Sequence, residues 1–243
     1  MTSKILDISP RVSARTGVFP GDTAFAQNVL CTVASGASVN LSTVTTTVHV
    51  GAHADAPWHT ADDGRGIADV DLEPYWGPAV VLHVKAARGS RVTMSQLRPE
   101  LERFRRARPR ADDMATVLRL HHASAATPWE SGTGPFRCLI ATGTFPDPDA
   151  WNSDFAALDP ALVDELAAEG CVLLGIDTPS VDLEQSKDLP AHAALRRSGM
   201  ANLEGLVLAH VPAGWYALVA LPLKLDGLDG SPVRAALKRL TAG

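Results

Sequence analysis

The sequence predicts a single mixed α/β domain with more strand than helix. Three observations predict it. Short runs rich in Val, Leu and Ile recur along the chain, each bounded by Gly, Pro, Asp or Ser. Capped helical patterns lie between some of these runs. The chain has 243 residues, 46% hydrophobic and 20% charged, enough for one sizeable core without a disulfide framework.

The β-like runs cover residues 4–8, 39–50, 79–85, 116–120, 137–142, 171–176, 206–210 and 216–222. A first helix is expected from 93 to about 106. Residues 98–110 hold six Arg and two Glu, a local charge of +4, which reads as a solvated helix face. The chain then drifts into Asp, Ser, Thr, Gly and Pro. A surface insertion is therefore expected at about 105–135, within one domain spanning 1–243. The clearest helix follows Asp159. That residue is a good N-cap, Pro160 suits the first helical position, and Gly170 closes the helix. Leu162, Val163 and Leu166 form its apolar stripe, and the run CVLLGI follows at once as a buried strand. A last helix is expected over 231–240.

The net charge of −5 and pI of 5.9 argue against nucleic acid as a partner. Cys31, Cys138 and Cys171 are odd in number and form no CxxC pair, so reduced thiols are expected. The opening MTSKILDISPRVSARTG holds no apolar run suited to a secretory leader, and no segment reads as a membrane span. A cytoplasmic protein without a membrane partner is the expectation.

Chemistry concentrates between Thr45 and His59. His49, His53, Asp55 and His59 fall within eleven positions. On a strand the odd positions Thr45, Thr47, His49, His53 and Asp55 share one face. The even positions Val44, Val48, Val50, Ala52, Ala54 and Ala56 share the other. A straight strand would hold His49 and His53 ~13 Å apart, too far for donors on one ion. The chain is therefore expected to break at Gly51 and leave Pro57 in a turn. Three imidazoles and a carboxylate suit Zn²⁺, with Mn²⁺ as the second choice. His192, at the expected start of a helix, and Glu204, before an apolar run, are candidates to complete the site. His83, His121, His122 and His210 have no comparable context and read as structural or surface residues. There is no G-x-S-x-G elbow, phosphate loop or G-x-G-x-x-G motif, which disfavours serine hydrolases, NTPases and dehydrogenases.

The run from His49 to His59 resembles the H-x-G-[TA]-H-x-D-x-P-x-H signature of the cyclase-like metal hydrolases. The blocks DISPRVSARTGVFPGDT, WNSDFAAL, GIDTPSVD, ANLEGLVL and LPLKLDGLDGSPVRAAL look like the bacterial kynurenine formamidase branch. The resemblance implies a swivelling β/β/α domain and a homodimer or higher homo-oligomer. It also implies a site for two metal ions, usually zinc. Carried across, His49, His53 and Asp55 are ligands of the first ion. Asp55 bridges to a second ion held by His192, and Glu204 contacts both. His59 matches the proton donor and acceptor. Phe19 stands where the branch places an aromatic substrate contact, often Trp, and Ala52 where Thr is commoner.

The implied activity is hydrolysis of N-formyl-L-kynurenine to L-kynurenine and formate by water activated on the metal, in tryptophan degradation. An imidazole gains and loses protons near neutrality, so it suits protonation of the departing arylamine. The alternatives are a related amidohydrolase acting on a cyclic amide such as isatin, or a metal-stabilised binding module without turnover.

Overall fold

The computed structural model describes residues 5–106 and 135–240. Seven strands form the main sheet, in the spatial order β1 (Ile5–Asp7), β13 (Ala236–Arg239), β11 (Gly214–Val219), β5 (Trp76–His83), β7 (Phe136–Ala141), β9 (Cys171–Ile176) and β10 (Ala201–Leu203). β5, β7, β9 and β10 run parallel, and β11, β13 and β1 add antiparallel pairs at the other side. Three two-stranded ribbons flank it: β2 (Ala26–Cys31) with β3 (Leu41–Thr45), β4 (His53–Asp55) with β12 (Gly230–Pro232), and β6 (Arg91–Val92) with β8 (Ala157–Leu158). The expected mixed α/β class, richer in strand, is what forms.

The central strands are buried on both faces, as parallel strands are. Val80, Leu82, Cys138, Ile140, Leu174 and Ile176 face one core. Three helices cover it: α1 (Met94–Arg106), α2 (Pro160–Ala168) and α3 (Pro190–Ser198). Ala79, Val81, Leu139 and Leu173, alternate residues of the same strands, face the other core with Ala52, Ala54 and Ala56. The functional segment therefore covers the face opposite the helices. α2 follows its sequence signals: Asp159 accepts a hydrogen bond from the amide of Ala161 at 2.9 Å, and Gly170 follows at φ +86°.

Three expectations are corrected. Residues 231–240 form no helix. Gly230–Pro232 pairs with β4, and Ala236–Arg239 lies between β1 and β11. Leu237 enters one core and Leu240 the other, so strand pairing overrides the helical spacing. Residues 206–210 are not a strand. Gly205 turns the chain at φ +66°, after which the amides of Leu206 and Val207 bond single carbonyls of Ile176 and Ile8. The strand expected over 39–50 stops at Thr45, opposite Ala26 where its antiparallel partner β2 begins, and His49 lies in a turn. The strand expected at 116–120 and most of the expected insertion lie outside the described residues.

Candidate metal centre

The break at Gly51 is real, with φ +61°. It follows the turn bearing His49 and leads into β4. The main chains of His53 and Glu204 then exchange two hydrogen bonds of 3.1 and 3.0 Å, which sets their side chains side by side. This close approach explains Gly205, since a Cβ there would fall 2.1 Å from the carbonyl oxygen of Gly51. Pro57 opens a short turn, Pro57–Thr60, that carries His59. His192 projects from the first turn of α3.

Six of the seven expected residues, Phe19, His49, His53, His59, His192 and Glu204, line one cavity of about 490 Å³. Asp55 lies behind them and lines an adjoining cavity of about 170 Å³, which His59 and His192 also touch. The rings of His49 and His53 are 5.1 Å apart, and those of His49 and His59 4.3 Å apart. Phe19 stands edge-on to Trp151 at 5.5 Å. The donor atoms of His49, Asp55 and His59 lie within 4.8 Å of one another, as do those of His53, Asp55 and Glu204.

The hydrogen bonds show what this cluster lacks. Asp182 accepts from Nδ1 of His192 at 2.9 Å and caps the first turn of α3 through the amides of Ala191 and His192. Nδ1 of His53 donates to the carbonyl of Gly51 at 2.9 Å. Each ring thus offers Nε2 to the interior. Nε2 of His192 is buried without a hydrogen-bond partner, 3.4 Å from oxygens of both Asp55 and Glu204. Nε2 of His53 lies 3.3 Å from Glu204 and 3.6 Å from Asp55. Two inward ring nitrogens, that of His192 without a hydrogen-bond partner, converge on two buried carboxylates, and among the described residues no Lys or Arg pairs with either acid. Such a donor set fits a divalent cation.

The titration behaviour has the same origin. Burial opposes charge on Asp55, yet His192, His49 and His53 hold its carboxyl well below the usual range. Burial and Asp55 push Glu204 upward, and His192 and His53 outweigh them. Burial would lower His49, but hydrogen bonds to Asp55 and Asp229, each 3.0 Å, raise it to about 9. The raised imidazoles of His49, His53 and His192 and the lowered carboxyls of Asp55 and Glu204 are two sides of the same attraction.

Sequence reasoning missed three supporting residues. Asp229 bonds His49 and, at 2.9 Å, Nδ1 of His59. Asp182 orients His192. Asn202 donates to Asp55 at 2.7 Å. All three lie inside blocks that carried the family resemblance, but no local spacing marks them. His83 bonds the carbonyl of Val211 and is structural, as expected.

The model of the "Putative cyclase" family matches residues 6–183. The kynurenine formamidase of Delftia acidovorans is 40% identical over 241 residues, covering 99% of this chain and all of that one. The kynurenine formamidase of Polaromonas naphthalenivorans is 40% identical over 240 residues, covering 99% of this chain and 93% of that one. Isatin hydrolase A from Ralstonia solanacearum superposes with a TM-score of 0.74 at 21% identity, covering 97% of this chain and 92% of that one.

Proposed function

The chain belongs to the putative cyclase family, and from that premise we infer that it is an arylformamidase, converting N-formyl-L-kynurenine and water to L-kynurenine and formate. Two full-length relatives at 40% identity carry that activity in their names. The observation that carries the chemistry is the pair of Nε2 atoms, on His53 and His192, aimed at two buried carboxylates.

The proposed ligands are His49, His53 and Asp55 for one ion and Asp55 with His192 for a second, with Glu204 shared. Zn²⁺ is the proposed metal, two ions per subunit, with Mn²⁺ as the other candidate. A divalent ion so held polarises a carbonyl as a Lewis acid and yields a nucleophile from water near neutral pH. The remaining work falls to the chain. Asp182 and the Gly51 carbonyl fix the ring orientations of His192 and His53. Asp229 accepts a hydrogen bond from Nδ1–H of His59 and so holds that proton on Nδ1. That leaves Nε2 of His59 to accept a proton from water and return it to the arylamine nitrogen as the C–N bond breaks. Phe19 and Trp151 offer an aromatic wall for the aniline ring.

The substrate is a small molecule, and no described helix is long and apolar enough to cross a membrane. Cytoplasmic residence is proposed from the three free cysteines. A homodimer is proposed because the β2–β3 ribbon exposes Val29, Leu30, Leu41 and Val44, each at least half exposed. Light scattering tests the dimer.

The activity is tested by following formate and kynurenine release by purified protein, alongside metal analysis, before and after chelation and with Zn²⁺ or Mn²⁺ restored. Metal-dependent release of both products is expected. A protein that ignores N-formylkynurenine but opens isatin overturns the substrate; one that turns over neither when loaded overturns the enzyme reading.

A further inference from the structure

The cavity carries an arrangement that metal binding and proton transfer do not use. Asp182 and His192 hydrogen-bond each other, which closes an arch of chain between them. Val181, just before the arch, is anchored through its amide to Glu204 at 2.8 Å. Within the arch, the amide of Ser186 bonds the carbonyl of Leu183 at 2.8 Å, forming a turn that puts Glu184 and Lys187 on the cavity wall. Oε2 of Glu184 accepts a hydrogen bond from Nε1 of Trp151 at 2.8 Å. Trp151 in turn stands edge-on to Phe19 at 5.5 Å and to Phe145 at 5.6 Å. An aromatic wall and a pair of opposite charges are thereby held on one frame.

Lys187 is the one Lys or Arg among the described residues lining this cavity, and it makes no ion pair there. The other permanently charged side chains on the wall are acids, and the imidazoles there are engaged by Asp55, Asp229 and Glu204, which leaves Lys187 as the side-chain cation open to a ligand carboxylate. Among those acids, Asp177 is committed to the fold, accepting hydrogen bonds from Thr142 and from the amide of Gly143. Glu184 spends one oxygen on Trp151 and keeps the other for a weak 3.3 Å contact with Gln185.

We propose that Lys187 and Glu184 clasp the carboxylate and ammonium of an α-amino-acid group on the substrate, so that the enzyme selects aryl formamides bearing a zwitterionic tail. The proposal rests on the arylformamidase reading and specifies which aryl formamides it covers. Isatin and simple formanilides lack the tail and forgo this clasp.

The test compares kcat/KM for N-formyl-L-kynurenine with that for N-formyl-2-aminoacetophenone, which has the same ring and ketone without the amino-acid group. The metal-loaded wild-type enzyme is expected to prefer the first. Lys187→Met is expected to shrink that preference about tenfold, through KM rather than kcat, the lower end for a hydrogen bond to a charged group at an exposed site. Lys187→Arg restores most of the preference, and Glu184→Gln shrinks it about threefold. In the wild-type enzyme, added salt raises KM for the zwitterionic substrate more than for the other. If both formamides are hydrolysed and neither Lys187→Met nor salt moves the ratio, the clasp is overturned while the arylformamidase reading stands. If the loaded wild-type enzyme hydrolyses neither formamide, the reading falls and takes the clasp with it.

Discussion

On the helical face, Arg98 and Arg105 of α1 reach across to Glu165 and Glu169 of the α2 region. At the β10 edge of the sheet, Asp55 and Glu204 meet His53 from β4 and His192 from α3. Both groups are built from acids and bases, yet they differ in exposure and in balance. The Arg–Glu network is partly exposed, and each carboxylate faces a permanent cation. The inner acids are almost fully buried, and the only bases they face are imidazoles, whose charge is conditional. The outer network is complete as it stands. The inner one holds a demand for positive charge that protons meet partly and a divalent ion meets better. The comparison teaches that a functional site shows itself by an unbalanced buried group, not by the number of its charges.

The strongest attempt to break that contrast is Asp55→Asn. Asp55 accepts from Asn202 and touches His49 and His192, so its carboxylate links both halves of the cluster. Loss of that charge should strip bound metal, read by elemental analysis, and abolish measurable turnover of N-formylkynurenine. A variant that keeps full metal content and activity would mean that the inner cluster is as self-contained as the outer one. The next largest effect separates holding the ion from moving the proton. His59→Ala should lower kcat by at least about a hundredfold, the range for a lost general acid–base, with metal content retained. Near wild-type turnover would remove His59 from the reaction.

These residues were largely legible in the sequence because the signature from His49 to His59 packs its donors into two turns and the short strand between them. The alternation of small apolar residues was legible too: Val50, Ala52, Ala54 and Ala56 are all buried. What escaped was long-range. Asp229 reaches His59 across 170 positions and acts through an imidazole, so nothing near either residue announces the pair. The false helix at 231–240 has the same cause. Pro232 and the spacing of Val233, Leu237 and Leu240 satisfy helical rules locally, but β4, β1 and β11 offer this segment strand partners.

The contrast also predicts different responses to pH in metal-free and metal-loaded protein. His49 is raised from its ordinary 6.5 to about 9 by Asp55 and Asp229 against the cost of burial. A folded-state value above the unfolded one stabilises the fold fully below about 6.5, and that stabilisation is lost as pH rises through about 9. The difference of about 2.5 pH units corresponds to at most about 3 kcal/mol. Metal-free protein should therefore lose thermal stability between pH 6.5 and 9, while metal-loaded protein should not if His49 is the ligand proposed, since an ion then takes the place of its proton. Parallel melting curves across that range check it, and a flat curve for the metal-free form would show that His49 does not carry the balancing proton.

The smallest effect is expected where the charges are most numerous. Glu169 serves both Arg98 and Arg105, so Glu169→Gln removes the acid common to two ion pairs. Arg98 keeps Glu165 at 2.7 Å, and both guanidinium groups stay about a third exposed, so water takes over what the carboxylate leaves. The loss should be about 1 kcal/mol or less, a few degrees at most in Tm for a domain of this size. It should shrink further in added salt. Metal content and turnover should not change. A loss of several kcal/mol, insensitive to salt, would show that the outer network is as desolvated as the inner one, and the distinction drawn from their burial would fail.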